Sequence, residues 1–393
     1  MTKDLFQPLH PIPSPRTEDE AVLWIRLLRS RRVGVSTFFR LLGEHGSAEA
    51  ALDALPEVAK AAGVKDYTSC PEDVAEDEYR RAQMAGAKMI CWGSDAYPAL
   101  LSEISDPPPF FWAMGDITLL HSPIIALIGA RNASSIGTRM ARKLATELGE
   151  AGFTVISGLA RGIDTVAHEA ALKSGKTIAV MAGGVDVIYP KENTDLAEDI
   201  ARDGLRISEM PPGVTPQARH FPRRNRLISG LARAVVVVEA AAKSGSLLTA
   251  RNALDQGRDV LAVPGHPFDA RAYGCNMLIR DGAALVRNAA DVIEAIGPAE
   301  SPASTDAKSR VNDASAATSK AGTRDKRTLA ETAKLHGQIL SRLGSCPLAE
   351  DQLIRDIGQS HGLGSQQILP ELVNLELEGR ITRQAGGLLS KPS

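Results

Sequence analysis

Six short, nearly continuous apolar runs punctuate the middle of the chain. They are IIALIG (124–129), FTVISG (153–158), TIAVMAGG (177–184), LRISEM (205–210), AVVVVEA (234–240) and DVLAVPG (259–265). A strand covered on both faces has no solvent side, so its apolar residues run on instead of alternating. The intervening stretches have helical length and patterning. This succession predicts an α/β domain: a Rossmann-like, doubly wound, mostly parallel sheet with ligand at the carboxyl ends of its strands.

The pattern differs on either side. Residues 17–87 are helical throughout. In TEDEAVLWIRLLRS, Thr17 and Glu20 stand at capping-box spacing. RRVGVSTFFRLLGEHGSAEAAL predicts two short helices, with breaks at Val33-Gly34-Val35 and from Gly43 to Gly46. This unit has the look of a SAM or helix–hairpin–helix module, and both DNA contact and plain packing stay open for it. KMICWG (88–93) predicts a strand, and YPALLSEISDPPPFFWAMGD (97–116) a proline-punctuated connection. The Rossmann-like domain, extended by these segments, is placed at 88–296. Residues 297–330, rich in Ala, Ser, Thr and charge, predict a flexible linker. In 331–393, three helical patterns followed by ITRQAGGLLSK predict a winged-helix domain. Its third helix carries Glu371, Glu376 and Glu378, which argues against DNA reading by this copy and leaves a protein-contact or a degenerate role open.

Composition narrows the classes. With 44% hydrophobic and 23% charged residues, the 393-residue chain matches an ordinary soluble globular protein of two or three domains. A net charge of −2 means that any polyanion must be held by a local patch. Cys70, Cys91, Cys275 and Cys346 form no paired spacing, which argues against a zinc site or disulfide framework and fits a reducing cytoplasm. The N-terminal MTKDLFQPLHPIPSPR lacks the apolar segment of a signal peptide, and no run is long enough to predict a membrane span.

The candidate chemistry lies where the apolar runs end. The first loop places Gly129, Arg131 and Ser134 after its strand. Arg131 stands where a dinucleotide fingerprint needs its second glycine, so a phosphate-gripping fork replaces close backbone approach. The second loop offers Gly158 and Arg161, the third Lys191, and the last Lys243, Ser244, Gly245 and Ser246 as a backbone nest with hydroxyls. FPRRNR (221–226) concentrates Arg223, Arg224 and Arg226 beside Asn225, just after Arg219 and His220, and phosphate contact is favoured over a solvated face. Several anion-binding loops in series suggest a long polyanion, not a small cofactor. Asp164 and His168 stand four apart, the spacing of a metal pair on one helix face, but no third ligand matches; a helix cap at Asp164 with a local hydrogen bond is the favoured reading. Glu239 ends its strand at the same edge, as a catalytic carboxylate or an organiser of the arginines. Aromatic residues are 4% of the chain. Phe221, Phe268, Tyr189 and Tyr273 are the candidates for stacking near the loops, so backbone-dominated binding is expected.

The motifs YPALLSEISDPPPFFWAMGD, IGARNASSIG, SGLARGIDTVAH, GGVDVIYPKEN, FPRRNRLISGLARAVVVVEAAAKSGSLLTA and VPG…GCNMLIRDGA together resemble the DNA-processing protein A family (DprA, also called Smf). The resemblance spans nearly the whole chain, with its core over about 97–284. It implies a cytoplasmic, non-enzymatic protein without cofactor that binds single-stranded DNA, protects it during natural transformation and loads RecA recombinase onto it. It also implies a homodimer through the Rossmann-like domain, with a surface near 277–285 and Ile279 and Leu285 as candidates. The family's GSR is here Gly129-Ala130-Arg131, which drops a hydroxyl and keeps the arginine. Two rivals stand beside this reading. One is a phosphoribohydrolase-like enzyme on a related fold. Its PGGxGTxxE loop needs a glutamate where this chain has Leu248 and Thr249, and neither can move a proton. The other is a structural adaptor acting through the winged helix.

Overall fold

A computed structural model describes residues 12–61 and 66–299, together with positions 342–343, 348–349, 352–353, 356, 372, 381–384 and 388–390. The chain divides into two compact units, Met1–Asp306 and Ala307–Ser393.

The first unit opens with four helices: α1 (Glu18–Arg29), α2 (Val35–His45), α3 (Ala48–Ala61) and α4 (Glu72–Met84). Thr17 and Glu20 form the expected capping box at the start of α1. Gly43 does not interrupt α2. The helix ends at Gly46, whose left-handed φ of 78° lets its N–H reach the carbonyl of Leu42. Trp24 packs edge-on against Phe38, with ring centroids 5.1 Å apart, in a core shared with the sheet that follows.

That sheet has nine strands: β1 (Lys88–Cys91), β2 (Phe110–Gly115), β3 (Ile124–Gly129), β4 (Thr154–Ser157), β5 (Lys176–Val180), β6 (Leu205–Ser208), β7 (Ala234–Glu239), β8 (Asp259–Ala262) and β9 (Ala284–Leu285). Their order is β1-β2-β6-β5-β4-β3-β7-β8-β9. β6 through β9 in that order are parallel, while β2 pairs antiparallel with both β1 and β6. The intervening helices are α5 (Ala99–Ser102), α6 (Ser135–Glu150), α7 (Ile163–Ser174), α8 (Thr194–Asp203), α9 (His220–Leu231), α10 (Gly245–Asp255), α11 (Tyr273–Arg280) and α12 (Ala289–Ile296).

The alternation of strand side chains explains the apolar runs. In β3, Ile124, Ala126 and Ile128 enter one core, and Ile125 and Leu127 enter the core on the opposite face. β2 is a correction to the sequence reading, which took FFWAMG as part of a connection. Its strand state follows from being sandwiched. Phe111 and Ala113 face the main core, while Phe110 and Trp112 face the N-terminal helices.

In the second unit, β10 (Leu348–Ala349), β11 (Thr382–Gln384) and β12 (Leu388–Ser390) form an antiparallel sheet in the order β10-β12-β11. The β11–β12 pair is the hairpin expected of the wing. The three predicted helices of this unit, including Glu371, Glu376 and Glu378, lie largely outside the described residues, as does the predicted linker from residue 300 onward. Among the described residues, no helix is long and apolar enough to cross a membrane.

Candidate nucleic-acid interface

Strand order reverses at β3, whose neighbours are β4 on one side and β7 on the other. At such a switch point the flanking loops diverge and leave a crevice at the carboxyl edge. Here it is an open cleft of ≈ 770 Å³, walled by the loops after β3, β4 and β7, by α9, and by Arg271 beyond β8.

The loop after β3 is held from behind. Ser134 caps α6, its Oγ accepting from the N–H of Gly137 at 2.9 Å. Its own N–H and hydroxyl donate to the two carboxylate oxygens of Glu239, at 2.8 and 2.5 Å. A side chain at Gly137 would stand 2.7 Å from that carboxylate. Glu239 therefore anchors the loop that carries Arg131 to the end of β7, which matches the organising role rather than the catalytic one expected for it. Ser134, expected as a phosphate ligand, is committed to the same anchor.

With the loop fixed, Gly129 lines the cleft and Arg131 is exposed at its mouth. The Arg131 guanidinium lies 5.3 Å from the Phe221 ring centroid, and that of Arg224 lies 5.9 Å from it. Tyr189 meets the same ring edge-on at 5.8 Å. One phenyl ring is thus contacted by two cations and a second aromatic ring, an arrangement that keeps the guanidinium groups oriented.

The segment FPRRNR, expected as a basic loop, is the first half of α9. Pro222 is tolerated there because the first helical turn has no internal acceptor for its missing N–H. Helical spacing selects Phe221, Arg224, Asn225 and Ile228 for the cleft wall, at i, i+3, i+4 and i+7. Arg224, part of the expected arginine run but not singled out among its ligands, is therefore the central cation. It is 5% exposed, and its Nη1 donates to the Val180 carbonyl at 3.1 Å. Its Nε makes no hydrogen bond. Burial lowers its pKa to about 10, with the Asp164 carboxylate opposing the shift. The signal that would have singled it out from Arg223 and Arg226 was the helical period, had the segment been taken as a helix.

Arg226 is a second correction. It faces away from the cleft, donating to the Asp106 carbonyl at 2.6 Å and pairing with the carboxylates of Glu209 and Asp106. It locks α9 to the body of the domain and is not available to phosphate. Arg223 lies exposed on α9, outside the cleft lining.

On the opposite wall, Lys243, Ser244, Gly245 and Ser246 line the cleft at the start of α10. Ser244 caps that helix, and the two serine hydroxyls are 2.7 Å apart. Beside the cleft is a smaller recess of ≈ 450 Å³ lined by Arg131, Gly158, Arg161 and Tyr189, among others. Arg161 there pairs with Glu192. Lys191 is exposed just past Pro190 and lines neither cavity.

The Asp164–His168 pair is structural. Asp164 does not cap α7, whose N-cap is Gly162; it reaches back to accept from the N–H groups of Gly158 and Ala160, at 3.1 and 3.3 Å. Burial raises the pKa of its carboxyl, with Arg224 opposing. His168 Nε2 accepts from the N–H of Leu159 at 3.3 Å, and Nδ1 meets Thr177 Oγ1 at 2.7 Å. Since the Thr177 hydroxyl donates to the Val155 carbonyl, Nδ1 carries the ring proton. The pair thereby shapes the loop on which Gly158 lies.

The family model described as DNA recombination-mediator protein A matches residues 88–297, more than half of the 393-residue chain. The chain belongs to the DNA recombination-mediator protein A family. A DprA-like N-terminal HHH domain matches residues 18–81, and a DprA winged helix domain matches 323–387. DNA processing protein DprA of Bacillus subtilis is 46% identical over 211 residues, covering 53% of this chain and 71% of that one. The DprA of Streptococcus pneumoniae is 47% identical over 200 residues, covering 51% and 71%. The X-ray structure of the Streptococcus pneumoniae protein matches with a TM-score of 0.54 at 40% identity, covering 62% of this chain and 86% of that one. The resemblance read from the loop motifs is thus a family relationship. The cleft of this family member lies within the region matched by the main model.

Of the two candidate dimer residues, Leu285 is 43% exposed on β9, the last strand of the sheet. Ile279 is partly buried against the main core.

Proposed function

We propose that the cleft holds the backbone of single-stranded DNA, and that the protein is a non-enzymatic mediator that protects such DNA and loads RecA recombinase onto it. The observation that carries this reading is the convergence of Arg131, Arg224, Lys243 and a serine-lined nest on one open cleft, around the ring of Phe221. Cations and N–H groups hold phosphates, and an aromatic face takes any base, so the site suits a flexible strand of unspecified sequence. A duplex keeps its bases stacked inside and cannot offer them to Phe221. The family's description as a recombination mediator, and the name DNA processing protein given to its relatives, support a role in handling DNA during transformation or recombination.

Three features favour binding over catalysis. Thr249 occupies the cleft wall where the rival hydrolase needs a carboxylate. The Glu239 carboxylate is engaged by Ser134, and Asp164 is engaged by backbone N–H groups. Neither is free to exchange a proton with a substrate, as a general acid or base must.

The test is a fluorescence-anisotropy titration with labelled oligothymidine and with a matching duplex, at two salt concentrations. Salt-sensitive preference for the single strand supports the reading. Absence of binding at low salt overturns it and directs attention to nucleotide hydrolysis. RecA loading is tested by whether the protein accelerates RecA filament formation on that oligonucleotide. Homodimerisation through the β9 edge predicts that Leu285→Arg shifts the sedimentation equilibrium toward monomer; an unchanged distribution places the interface elsewhere.

A further inference from the structure

Phe268 is 94% exposed, the most exposed large apolar side chain among the described residues. It lies in the loop between β8 and α11, in the sequence VPGHPFDARAYG. The loop is well tied. Asn276 exchanges two hydrogen bonds with the Gly265 backbone, at 3.1 and 3.0 Å. The Arg271 carbonyl accepts from Ala240 N–H at 2.8 Å, and Gly274 N–H donates to the Ala240 carbonyl at 2.7 Å. These bonds fasten the far end of the loop just beyond β7, beside Lys243 and Ser244. Within it, Phe268 N–H donates to His266 Nδ1 at 3.3 Å, and the two rings lie 5.6 Å apart at 42°. A phenyl ring is therefore displayed to solvent by a braced loop.

The loop also contributes to the cleft. Arg271 lines it, with its guanidinium 3.1 Å from the Asp269 carboxylate. Phe268 is three residues from Arg271, a span of at most ~10 Å. A strand leaving the cleft past Lys243 and Arg271 passes within reach of this ring.

Building on the single-stranded DNA reading of the cleft, we infer that Phe268 is a second base-stacking platform, taking a nucleobase of the strand as it leaves the cleft on the β8 side. Base–aromatic stacking is tolerant of sequence because every base has a π face. The ring adds contact area without adding charge, and this gives it a signature distinct from that of the arginines.

Two variants test it. Phe268→Trp places an indole at the exposed position; of the native tryptophans Trp24 and Trp112 are buried and Trp92 is half-buried, so its signal is read against the unaltered protein. Stacking quenches the emission of the added indole when oligothymidine is titrated in. Phe268→Ala weakens oligothymidine binding by about 5- to 150-fold and leaves the dependence of log K on log salt unchanged, because no phosphate contact is lost. Arg131→Ala, by contrast, lowers that slope by about one contact. Unchanged affinity of Phe268→Ala beside intact binding by the unaltered protein overturns this proposal alone. So does a loss of affinity that tracks a shift in sedimentation, which assigns the ring to a contact between copies. Absence of binding by the unaltered protein overturns the reading of the cleft, and this proposal with it.

Discussion

Arg224 lies directly over the α-carbon of Gly158: a methyl group on residue 158 would stand 1.6 Å from Arg224 Nη1 and 2.4 Å from its Cζ. The bare backbone at 158 is thus what lets the guanidinium reach both the Val180 carbonyl and the cleft. Gly158→Ala must displace one or the other. Overpacking of this kind costs about 1–3 kcal/mol, which chemical denaturation will show. DNA affinity should fall about tenfold or more, as expected for loss of one charge-assisted hydrogen bond. A stable variant with unchanged affinity would remove Arg224 from the binding surface.

Two arginines from neighbouring segments should separate cleanly. Arg131→Ala should leave stability nearly unchanged, weaken binding evenly across sequences and reduce the salt slope. Arg226→Ala instead leaves Glu209 buried beside an empty space. Breaking a buried pair this way costs about 3–5 kcal/mol. Its effect should appear in the denaturation midpoint first. Reduced salt slope in a fully stable Arg226→Ala protein would contradict the placement of that side chain.

Glu239→Ala removes both acceptors of Ser134 and orphans a part-buried N–H, at a cost of about 1–3 kcal/mol. The loop bearing Arg131 should loosen and DNA affinity should drop. Glu239→Gln still accepts from the Ser134 N–H and should retain more of both properties. A nucleotide-hydrolysing activity abolished by the glutamine variant without loss of stability would reinstate Glu239 as a catalytic group.

His168 should make stability fall in acid. Burial and the nearby Arg224 charge lower its pKa from 6.5 to about 3, so the folded ring stays neutral while the unfolded ring takes a proton. Its contribution is complete above pH 6.5 and is lost as pH falls toward 3, with a slope of up to about 1.4 kcal/mol per pH unit. His168→Gln should flatten the stability profile across this window. An unchanged profile would mean that the ring does not carry the proton linkage.

Local patterns carried much of this protein. β3 to β8 were legible because a strand covered on both faces has a continuous apolar run, and these runs alternate with helix-length segments. The capping box at Thr17 is contained within four residues and needs nothing beyond them. The candidate anion-binding loops after β3 and β7 stood out in the sequence for the same reason, since a cap and a nest are built from consecutive residues.

The roles of individual charges were not local. Arg223, Arg224 and Arg226 are equivalent in the sequence. The turn of α9 sends one to solvent, one into the cleft and one to Glu209, and only packing against the sheet sets that rotation. β2 required the N-terminal helices to cover its second face, and Glu239 met Ser134 across 105 positions of chain. By itself the sequence determined the succession of elements and the family they belong to, because periodicity, caps and loop motifs are short-range patterns. Only the tertiary structure decided which side chains line the cleft, because burial and pairing depend on groups brought together by the fold.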